Sequence, residues 1–540
     1  MKDKLSRLEL SVAGILTILA IALRAKLALS AGGLWRDEAS TLGVATSPTV
    51  REVWMNLQSD SFPLLWMLIV REVAHLGGLM NDPIFRLLGF GVGIALVIVL
   101  WFYARTLRYR IPLVSIALLG LTPSVITWGS TLRAYGFGMA LSILCTAFLW
   151  RVVQFGRWRD FLLACVAAVL SVQALYYNSV LLLAMCSGGL VVSMRRRDPR
   201  TSILIAAVGA AAAMSMIPYA WVVARVSQWT DVLRIPRYDF PLFWSKLYET
   251  LQPGGRWTLT LWAVIFVIAL VATARGFRNK KEPGPTQTQR DVAAFCATTM
   301  LVAAAGVFVF LRVLSYETQA WYYLSLLAIC AICIDGISGS LIHTDRARQA
   351  RLAAVIAFAL LEIRPAFRTS AQRMTNIDIV ADTLRSVTTP GDFVVVNPWY
   401  VGLSFNRYYR ARVPWETIPA IGFLRYHRFD LLKKQMSSKD QEAPVRHAKE
   451  QIERALSTGH RVFVVGDFAS APLGREPLML APAPLPGNRW PEGMYQNQWS
   501  LMIGSFLIKH ADTTQHVHTD SWHINPYENV RITMVSGWYP

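Results

Sequence analysis

The sequence predicts a multi-pass α-helical membrane protein that ends in a smaller, water-exposed α/β domain. Of its 540 residues, 54% are hydrophobic and only 16% are charged, which is too little polar surface for a soluble globular protein of this length. Apolar runs alternate with short basic blocks up to about residue 366, and the composition then changes to that of a compact soluble domain. We therefore divide the chain into a transmembrane domain, 1–366, and a C-terminal domain, 367–540.

The transmembrane domain is expected to contain eleven spans, because each span needs about 20 mostly apolar residues. The first run contains Arg24 and Lys26 and lacks a small-residue cleavage site, so we interpret it as a retained span rather than a removed signal peptide. The run 62–70 is too short to cross and is expected to lie in the interface or to re-enter the membrane. The predicted spans are roughly 9–29, 84–104, 111–128, 135–151, 160–177, 179–194, 201–222, 257–274, 291–311, 320–341 and 351–364.

Basic residues between the apolar runs set the expected orientation. Blocks such as "MRRRDPR" and "RVVQFGRWR" fall on one side with these spans, and the positive-inside rule makes that side cytoplasmic. Because this pattern accounts for the net charge of +20, no nucleic-acid partner is expected. The first outer loop, 30–83, and the C-terminal domain are then expected on the outer, periplasmic or extracellular, face of the cell inner or plasma membrane.

The C-terminal domain is predicted to alternate helices and strands. Ile377, Val380 and Leu384 have helical spacing, a "PGD" turn follows, and "FVVVNPWY" has the composition of a buried strand. "HAKEQIERALSTGHRVFVVGDF" repeats this order, and we interpret "SLMIGSFLI" and "NVRITMVSGW" as later strands. All six cysteines lie in apolar runs of the first domain, so no disulfide framework is expected in this one.

Charged residues in three outer segments are the candidate functional residues. "LWRDEAST" places Asp37 and Glu38 directly after the first span. Asp60 precedes the short interfacial run, and "STLRAYGFG" places Arg133 and Tyr135 at the outer end of the fourth span. A cation on the outer face runs against the positive-inside bias and implies an anionic partner. Carboxylates that face an arginine at a membrane surface can activate a hydroxyl group beside a phosphate.

Each of these charges also has a structural interpretation. Asp37 and Glu38 could be solvated loop charges. Asp60 could cap a helix, and Arg133 could extend to lipid headgroups. The functional interpretation therefore depends on the four residues occurring together.

The order of these motifs resembles that of the membrane-embedded glycosyltransferases of the C-type (GT-C) fold. An Asp-Glu pair follows the first span, an acid precedes a Pro-led apolar run, and an "R-x-Y" follows the third span. The most similar branch contains the protein O-mannosyltransferases and the lipid A aminoarabinose transferase (glycosyltransferase family 39). "DIVADTLRSVTTPGDFVVVNPWYVGLSFNRYY" is similar to the segment after the last span in many bacterial members, and the resemblance covers about residues 8–410.

The resemblance implies an inverting glycosyltransferase that moves a sugar from a polyprenyl-phosphate carrier to a hydroxyl of a lipid, glycan or protein acceptor. By position, Asp37 would be the general base, Glu38 its neighbour in the pair and Asp60 the second acid. Arg133 and Tyr135 would contact the donor phosphate. No cofactor is expected; an all-carboxylate site for a divalent cation is conceivable but is not expected.

Two departures from the family pattern concern this site. Relatives usually have two prolines where this chain has Phe62 and Pro63. Many relatives also have Arg-Tyr at the start of the penultimate span, where this chain has Tyr322 and Tyr323. Arg312 is the candidate replacement for the missing arginine, so these two tyrosines and Arg312 are further candidate ligands of the donor phosphate.

Two other classes of protein remain as alternatives. A transporter or flippase of a lipid-linked or anionic substrate would also carry polar groups in a membrane domain, but these carboxylates are expected in outer loops rather than within spans. A binding or assembly protein would act through its outer domain. There "HVHTDSWH" could bind a metal through His516, His518 and His523, although a solvated or packed loop is the more frequent role of such a segment.

Overall fold

The chain divides into two compact units, and each is described by itself. The structure, a computed structural model, describes residues 2–60, 62–109, 111–278, 286–470, 479–519 and 523–540. Unit 1 comprises Met1–Ser30, Ser61–Ala220 and Ile235–Ala371, and unit 2 comprises Ala31–Asp60, Trp221–Arg234 and Gln372–Pro540. The sequence assigns the whole loop 30–83 to the transmembrane domain, whereas in the structure its first half packs with the C-terminal residues in unit 2.

The described part of the chain contains the following helices and strands, each numbered in chain order. The helices are α1 (Lys2–Ser30), α2 (Arg36–Ala45), α3 (Val50–Asn56), α4 (Leu64–Gly77), α5 (Asp82–Thr106), α6 (Leu113–Leu121), α7 (Pro123–Trp128), α8 (Tyr135–Phe155), α9 (Trp158–Ala174), α10 (Asn178–Arg195), α11 (Pro199–Met216), α12 (Ala220–Val226), α13 (Phe240–Leu251), α14 (Thr258–Arg278), α15 (Gln287–Leu314), α16 (Leu324–Leu341), α17 (Asp345–Ser370), α18 (Ile377–Val387), α19 (Val401–Tyr408), α20 (Phe429–Met436), α21 (Ala443–Ser457) and α22 (Glu492–His510). The strands are β1 (Phe393–Asn397), β2 (Trp415–Thr417), β3 (Val462–Gly466), β4 (Thr513–Val517) and β5 (Ile532–Ser536).

Eight helices of the described part of the chain are long and apolar enough to cross a membrane, which makes this a multi-pass membrane protein. They are Lys4–Ser30, Asp82–Thr106, Tyr135–Phe155, Asn178–Arg195, Pro199–Val226, Thr258–Arg275, Gln287–Leu314 and Ala320–Leu341. The other three predicted spans are also helical, but length and composition alone do not support them. One is divided into α6 and α7, α9 has only 17 residues, and α17 begins with the charged segment "DRARQAR".

The break between α6 and α7 has a local cause. Thr122 precedes Pro123, and a residue before proline avoids the helical conformation; Thr122 is accordingly extended, with φ −64° and ψ 119°. The break leaves carbonyl groups at the end of α6 without helical partners. The guanidinium of Arg24 donates to two of them, the carbonyls of Leu119 at 3.0 Å and Gly120 at 3.3 Å. A buried arginine within α1 thus stabilises an interrupted helix.

The short apolar run after the first loop forms α4, a helix of 14 residues that begins directly after Pro63. A helix of that length extends about 21 Å at 1.5 Å per residue, which is less than the roughly 30 Å hydrocarbon core of a bilayer. This segment is therefore too short to cross a membrane as a helix, as the sequence indicates.

Unit 2 contains a five-stranded mixed sheet in the order β2-β1-β3-β5-β4. β1 is parallel to β2 and β3, while β5 is antiparallel to β3 and β4. All five residues of β1 are buried, as expected for a parallel strand that is covered on both faces. Val395 and Val464 belong to one hydrophobic core and Val394 and Val396 to the other, so the alternation along β1 separates two cores.

One predicted strand of the C-terminal domain is wrong. "SLMIGSFLI" lies within α22, whose buried residues Tyr495, Trp499 and Met502 have helical spacing that starts before the apolar run. A short continuous apolar run cannot by itself distinguish a buried strand from a buried helix. The true next strand, β4, has the polar sequence "TTQHV" and is largely exposed at the sheet edge, so it lacks the apolar signal.

A buried carboxylate attaches α2 to the C-terminal residues of unit 2. Glu528 is only 2% exposed; its Oε2 accepts the backbone N–H of Arg36 at 2.9 Å, and its Oε1 accepts the Thr375 hydroxyl at 2.8 Å. The Arg36 side chain donates to the carbonyl of Tyr527 at 2.9 Å, and its guanidinium lies 4.4 Å from the centre of the Tyr400 ring. The first turn of α2 is therefore held in place by Tyr400, Tyr527 and Glu528, which lie several hundred residues later in the chain.

Burial raises the pKa of Glu528 to about 7 from its ordinary value of 4.5, against the opposing effects of Arg36, Thr375 and Ser404. The folded state binds this proton more tightly than the unfolded state. The contribution of Glu528 to the stability of the fold is therefore complete below its ordinary pKa of 4.5 and is lost as the pH rises through about 7.

We expect the free energy of unfolding to fall between pH 5 and pH 8, and Glu528 to contribute up to roughly 3 kcal/mol of that fall. Glu528→Gln keeps the shape of the protonated side chain and should flatten the pH dependence. Unfolding midpoints of the two proteins in one detergent, measured across this range, provide the test. The control is Glu450→Gln, at an exposed position of α21, which should keep the wild-type dependence. Equal pH dependence in wild type and Glu528→Gln would contradict the assignment.

Candidate functional site

The candidate residues fall into two groups, one in each unit. Asp37, Glu38 and Asp60, here called the acidic group, belong to unit 2. Arg133, Tyr135, Arg312, Tyr322 and Tyr323 belong to unit 1.

Asp37 lies in the first turn of α2, where the helix dipole favours a negative charge. Its Oδ1 is 3.6 Å from Nε of Arg36 and 3.7 Å from Nε2 of His427. The side chain is 15% exposed, so it is largely enclosed yet still accessible. A partly accessible carboxylate beside an arginine and a histidine is suited to proton transfer.

Glu38 has a different environment from its neighbour. It is fully buried, and its Oε2 accepts the backbone N–H of Trp35 at 3.2 Å, an interaction that caps the start of α2. The interpretation of Glu38 as a solvated loop charge is therefore wrong. Its contact fixes where α2 begins and hence the position of Asp37.

Asp60 lies beside the same helix. It follows the 3₁₀ turn Leu57–Ser59, and its Oδ2 accepts the hydroxyl of Thr41 at 2.7 Å. Thr41 is four residues after Asp37 and so lies on the same face of α2, one turn further on. Asp60 is the C-cap of that 3₁₀ turn through its backbone N–H, which donates to the carbonyl of Leu57, whereas the N-cap of the next helix, α4, is Pro63. Asp37 thus belongs to α2, and Asp60 contacts the same face of that helix through Thr41.

His427, which the sequence did not point to, is a further neighbour of Asp37. Its Nδ1 lies 2.9 Å from the Ser40 hydroxyl, and its backbone N–H donates to the same oxygen at 3.2 Å. Its ring stacks on Phe429 at 5.5 Å between centres and meets Trp399 edge-on at 6.0 Å. Because 387 residues separate His427 from Ser40, no local sequence pattern could have connected them.

No group of three or more His, Cys, Asp or Glu side chains that could hold a metal occurs among the described residues. In "HVHTDSWH", Nδ1 of His516 is 3.2 Å from the Thr533 hydroxyl. Nε2 of His523 is 3.1 Å from the side-chain nitrogen of Gln372. These contacts belong to the described residues of the segment, 516–519 and 523; residues 520–522 lie outside the described part of the chain.

Arg133 is buried among aromatic rings of unit 1. It lies in the segment between α7 and α8 and is 5% exposed. The guanidinium carbon is 4.3 Å from the centre of the Phe62 ring and 5.8 Å from that of Tyr135. A side chain enclosed in this way does not extend to lipid headgroups, so that alternative is wrong. The two rings lie within cation–π distance of the guanidinium and restrict its orientation.

The other unit 1 candidates separate into two sets. Tyr135 and Tyr322 meet edge-on with 6.3 Å between ring centres, so Tyr322 belongs to the same aromatic cluster as Arg133. Tyr323 faces elsewhere; its hydroxyl contacts those of Tyr238 and of Thr318, the latter at 2.7 Å.

Arg312 contacts the same partner as Tyr323. Its side chain is exposed at the end of α15 and donates to the carbonyl of Tyr238 at 3.3 Å. The structure thus unites Arg133, Tyr135 and Tyr322, and it places Arg312 and Tyr323 around Tyr238.

Two tryptophans of the Arg133 cluster were missed. Trp321 lies 6.4 Å from Tyr135 and 4.6 Å from Trp128, measured between ring centres. Trp321 directly precedes the tyrosine pair, so the aromatic triplet "WYY" was the available signal. Trp128 lies at the end of a predicted span and carried no separate signal.

No protein-family model and no curated protein matches this chain. Among solved structures, it is similar to the crystal structure of ArnT from Cupriavidus metallidurans in the apo state, with a TM-score of 0.51 and 12% sequence identity. The match covers 84% of this chain and 92% of the ArnT chain. The fold predicted from the order of the motifs is thereby confirmed: this chain has the GT-C fold of the lipid A aminoarabinose transferase.

Proposed function

We propose that this chain is an inverting glycosyltransferase that moves a sugar from a polyprenyl-phosphate carrier to a hydroxyl group of a lipid, glycan or protein acceptor. The observation that supports the proposal best is the likeness in fold to ArnT over 84% of the chain. We place the reaction on the outer, periplasmic face because the positive-inside rule puts the basic blocks on the cytoplasmic side.

The reaction needs a base for the acceptor. A hydroxyl group is a poor nucleophile until a carboxylate takes its proton as the new C–O bond forms. In this proposal Asp37 takes that proton, the bond from the sugar to the carrier phosphate breaks, and the phosphate leaves with the bonding electrons. Attack from the face opposite the phosphate inverts the anomeric carbon. The position of Asp37 beside Arg36 and His427 supports this role.

The other two acids are assigned to the support of α2. Glu38 is buried and engaged in the helix cap, and Asp60 accepts the Thr41 hydroxyl. Both contacts hold the helix that carries Asp37. We therefore treat Glu38 and Asp60 as positioning residues rather than as bases.

The leaving phosphate needs a fixed cation as negative charge develops on it. Arg133 supports this role because Phe62 and Tyr135 orient its guanidinium, which can contact two phosphate oxygens at once. Tyr322, in the same aromatic cluster, is the candidate for a further phosphate contact. Tyr323 and Arg312 are assigned to the support of Tyr238.

A transporter is the weaker alternative. Polar groups of a transport pathway lie within spanning helices. Asp37 and Glu38 instead lie on α2, a helix of ten residues in the unit that contains the β-sheet. This location favours an enzyme.

We predict that Asp37→Asn abolishes transfer while leaving donor binding largely intact, because the amide keeps the shape of the side chain but cannot take a proton. Loss of a general base lowers turnover by roughly 10²–10⁴-fold. The measurement is transfer from defined polyprenyl-phosphate sugars to candidate acceptors, followed by the mass shift of the acceptor. Asp382→Asn, at an exposed position of α18, is the matched control and should remain active.

The same assay tests our further proposal that transfer needs no metal ion. A chelator should leave the wild-type rate unchanged. Full activity of Asp37→Asn would exclude Asp37 as the base, and loss of activity with a chelator that a divalent ion restores would overturn the metal-independent mechanism.

We predict that Arg133→Ala weakens binding of the polyprenyl-phosphate donor about tenfold or more, because it removes a charged hydrogen-bond donor. Arg133→Lys should recover only part of the affinity, since an ammonium group lacks the two-pronged geometry. Arg157→Ala is the control: it also removes an arginine beside a ring, 5.0 Å from the centre of Phe155, but at an exposed position. Equal donor affinity in the wild type and both Arg133 variants would remove Arg133 from the site.

A further inference from the structure

His427 is fixed by three kinds of contact within unit 2. Its backbone and Nδ1 both meet the Ser40 hydroxyl, at 3.2 Å and 2.9 Å. Its ring lies nearly parallel to Phe429, with 6° between the planes, and perpendicular to Trp399, at 88°. The remaining ring nitrogen, Nε2, faces Oδ1 of Asp37 at 3.7 Å. A histidine held so closely presents one defined nitrogen to that carboxylate.

The contacts of the two ring nitrogens, with Ser40 and with Asp37, together favour one tautomer of the neutral ring. The Ser40 oxygen accepts the backbone N–H of His427, and its hydroxyl can either donate its own hydrogen to Nδ1 or accept one from it. When Nδ1 accepts that hydrogen, the proton of the neutral ring lies on Nε2. The N–H then points toward Asp37, whereas the other tautomer would direct a lone pair at a carboxylate.

We propose that His427 is a positioning residue for Asp37, which it orients by directing Nε2–H to Oδ1 of the carboxylate. The inference rests on the proposed function, in which Asp37 is the base. The present separation of 3.7 Å is longer than a hydrogen bond, and such contacts commonly tighten when substrates bind. The partner of the base is thus supplied by the C-terminal part of the chain.

A packing role for His427 makes a different prediction. Stacking on Phe429 and edge contact with Trp399 need only an aromatic ring, which phenylalanine also has. The two contacts with Ser40 and Asp37 need the ring nitrogens. His427→Phe therefore keeps the packing and removes the proposed function of the side chain.

The experiment compares His427→Phe with His427→Gln, Ser40→Ala and the double variant Ser40→Ala/His427→Phe. The matched control is His510→Phe, because His510 also stacks on an aromatic ring, Trp538, at 4.8 Å and also uses its Nδ1, toward the Tyr539 carbonyl at 2.8 Å. For each protein, kcat and the KM values for donor and acceptor are measured, together with the unfolding midpoint.

We expect His427→Phe to lower kcat roughly 10–100-fold, with little change in the donor KM or the unfolding midpoint, because a misplaced base slows only the chemical step. His427→Gln, whose amide N–H can reach Asp37, should retain more activity. Adding Ser40→Ala to His427→Phe should cause little further loss, since Ser40 acts through the histidine. Wild-type kcat in His427→Phe overturns the inference, as does a loss of kcat that occurs only together with a lowered unfolding midpoint.

A second measurement does not depend on transfer. Carbodiimide labelling of Asp37, followed by mass spectrometry, should be several-fold faster in His427→Phe than in wild type, because phenylalanine lacks the N–H that His427 directs at the carboxylate oxygen. His510→Phe should leave the labelling rate unchanged. Equal labelling in wild type and His427→Phe overturns the inference. If the wild type transfers no sugar from any donor, the proposed function fails, and this labelling result still decides whether His427 contacts Asp37.

Discussion

The contact of Arg36 and Thr375 with the buried carboxyl of Glu528 is the interaction on which the position of α2, and with it the acidic group, depends. It joins the first turn of α2 to residues that follow it by almost the full length of the chain. Asp37 is the next residue, and Ser40 and Thr41 lie one turn further along the same helix. If this contact were lost and α2 moved, Asp37, the proposed base, would be displaced. Ser40, which contacts His427, and Thr41, which contacts Asp60, would move with it.

The sheet of unit 2 helps to hold α2 in place. Trp399 and Tyr400 follow β1 after Pro398; Trp399 contacts His427, and Tyr400 contacts Arg36. In open α/β sheets, ligands usually bind beyond the carboxyl ends of the parallel strands. Here the residues beyond β1 contact the chain's own side chains around α2, so the sheet acts as a support for the proposed base.

Local features were predictable from the sequence and distant pairings were not. The acids after the first span, the short α4 and the pair of Arg133 with Tyr135 all depend on residues close in sequence. His427 was missed because its polar partners, Ser40 and Asp37, are almost 400 residues away, and a lone histidine in a basic loop has no periodicity to reveal it. The strand predicted at "SLMIGSFLI" was wrong because a short apolar run, taken without the residues before it, is compatible with a buried strand and with a buried helix.

The most direct test of this account is Gly43→Ala. A Cβ at Gly43 would lie 1.9 Å from the carbonyl oxygen of Arg425, so the methyl group must push α2 away from the segment that carries His427, although alanine favours a helix by about 1 kcal/mol over glycine. Gly493→Ala on α22, where nothing lies within 4 Å, is the control. We expect transfer to be lost and amide exchange in α2 to accelerate only in Gly43→Ala. Wild-type transfer by Gly43→Ala would contradict the claim that the docking of α2 positions the base.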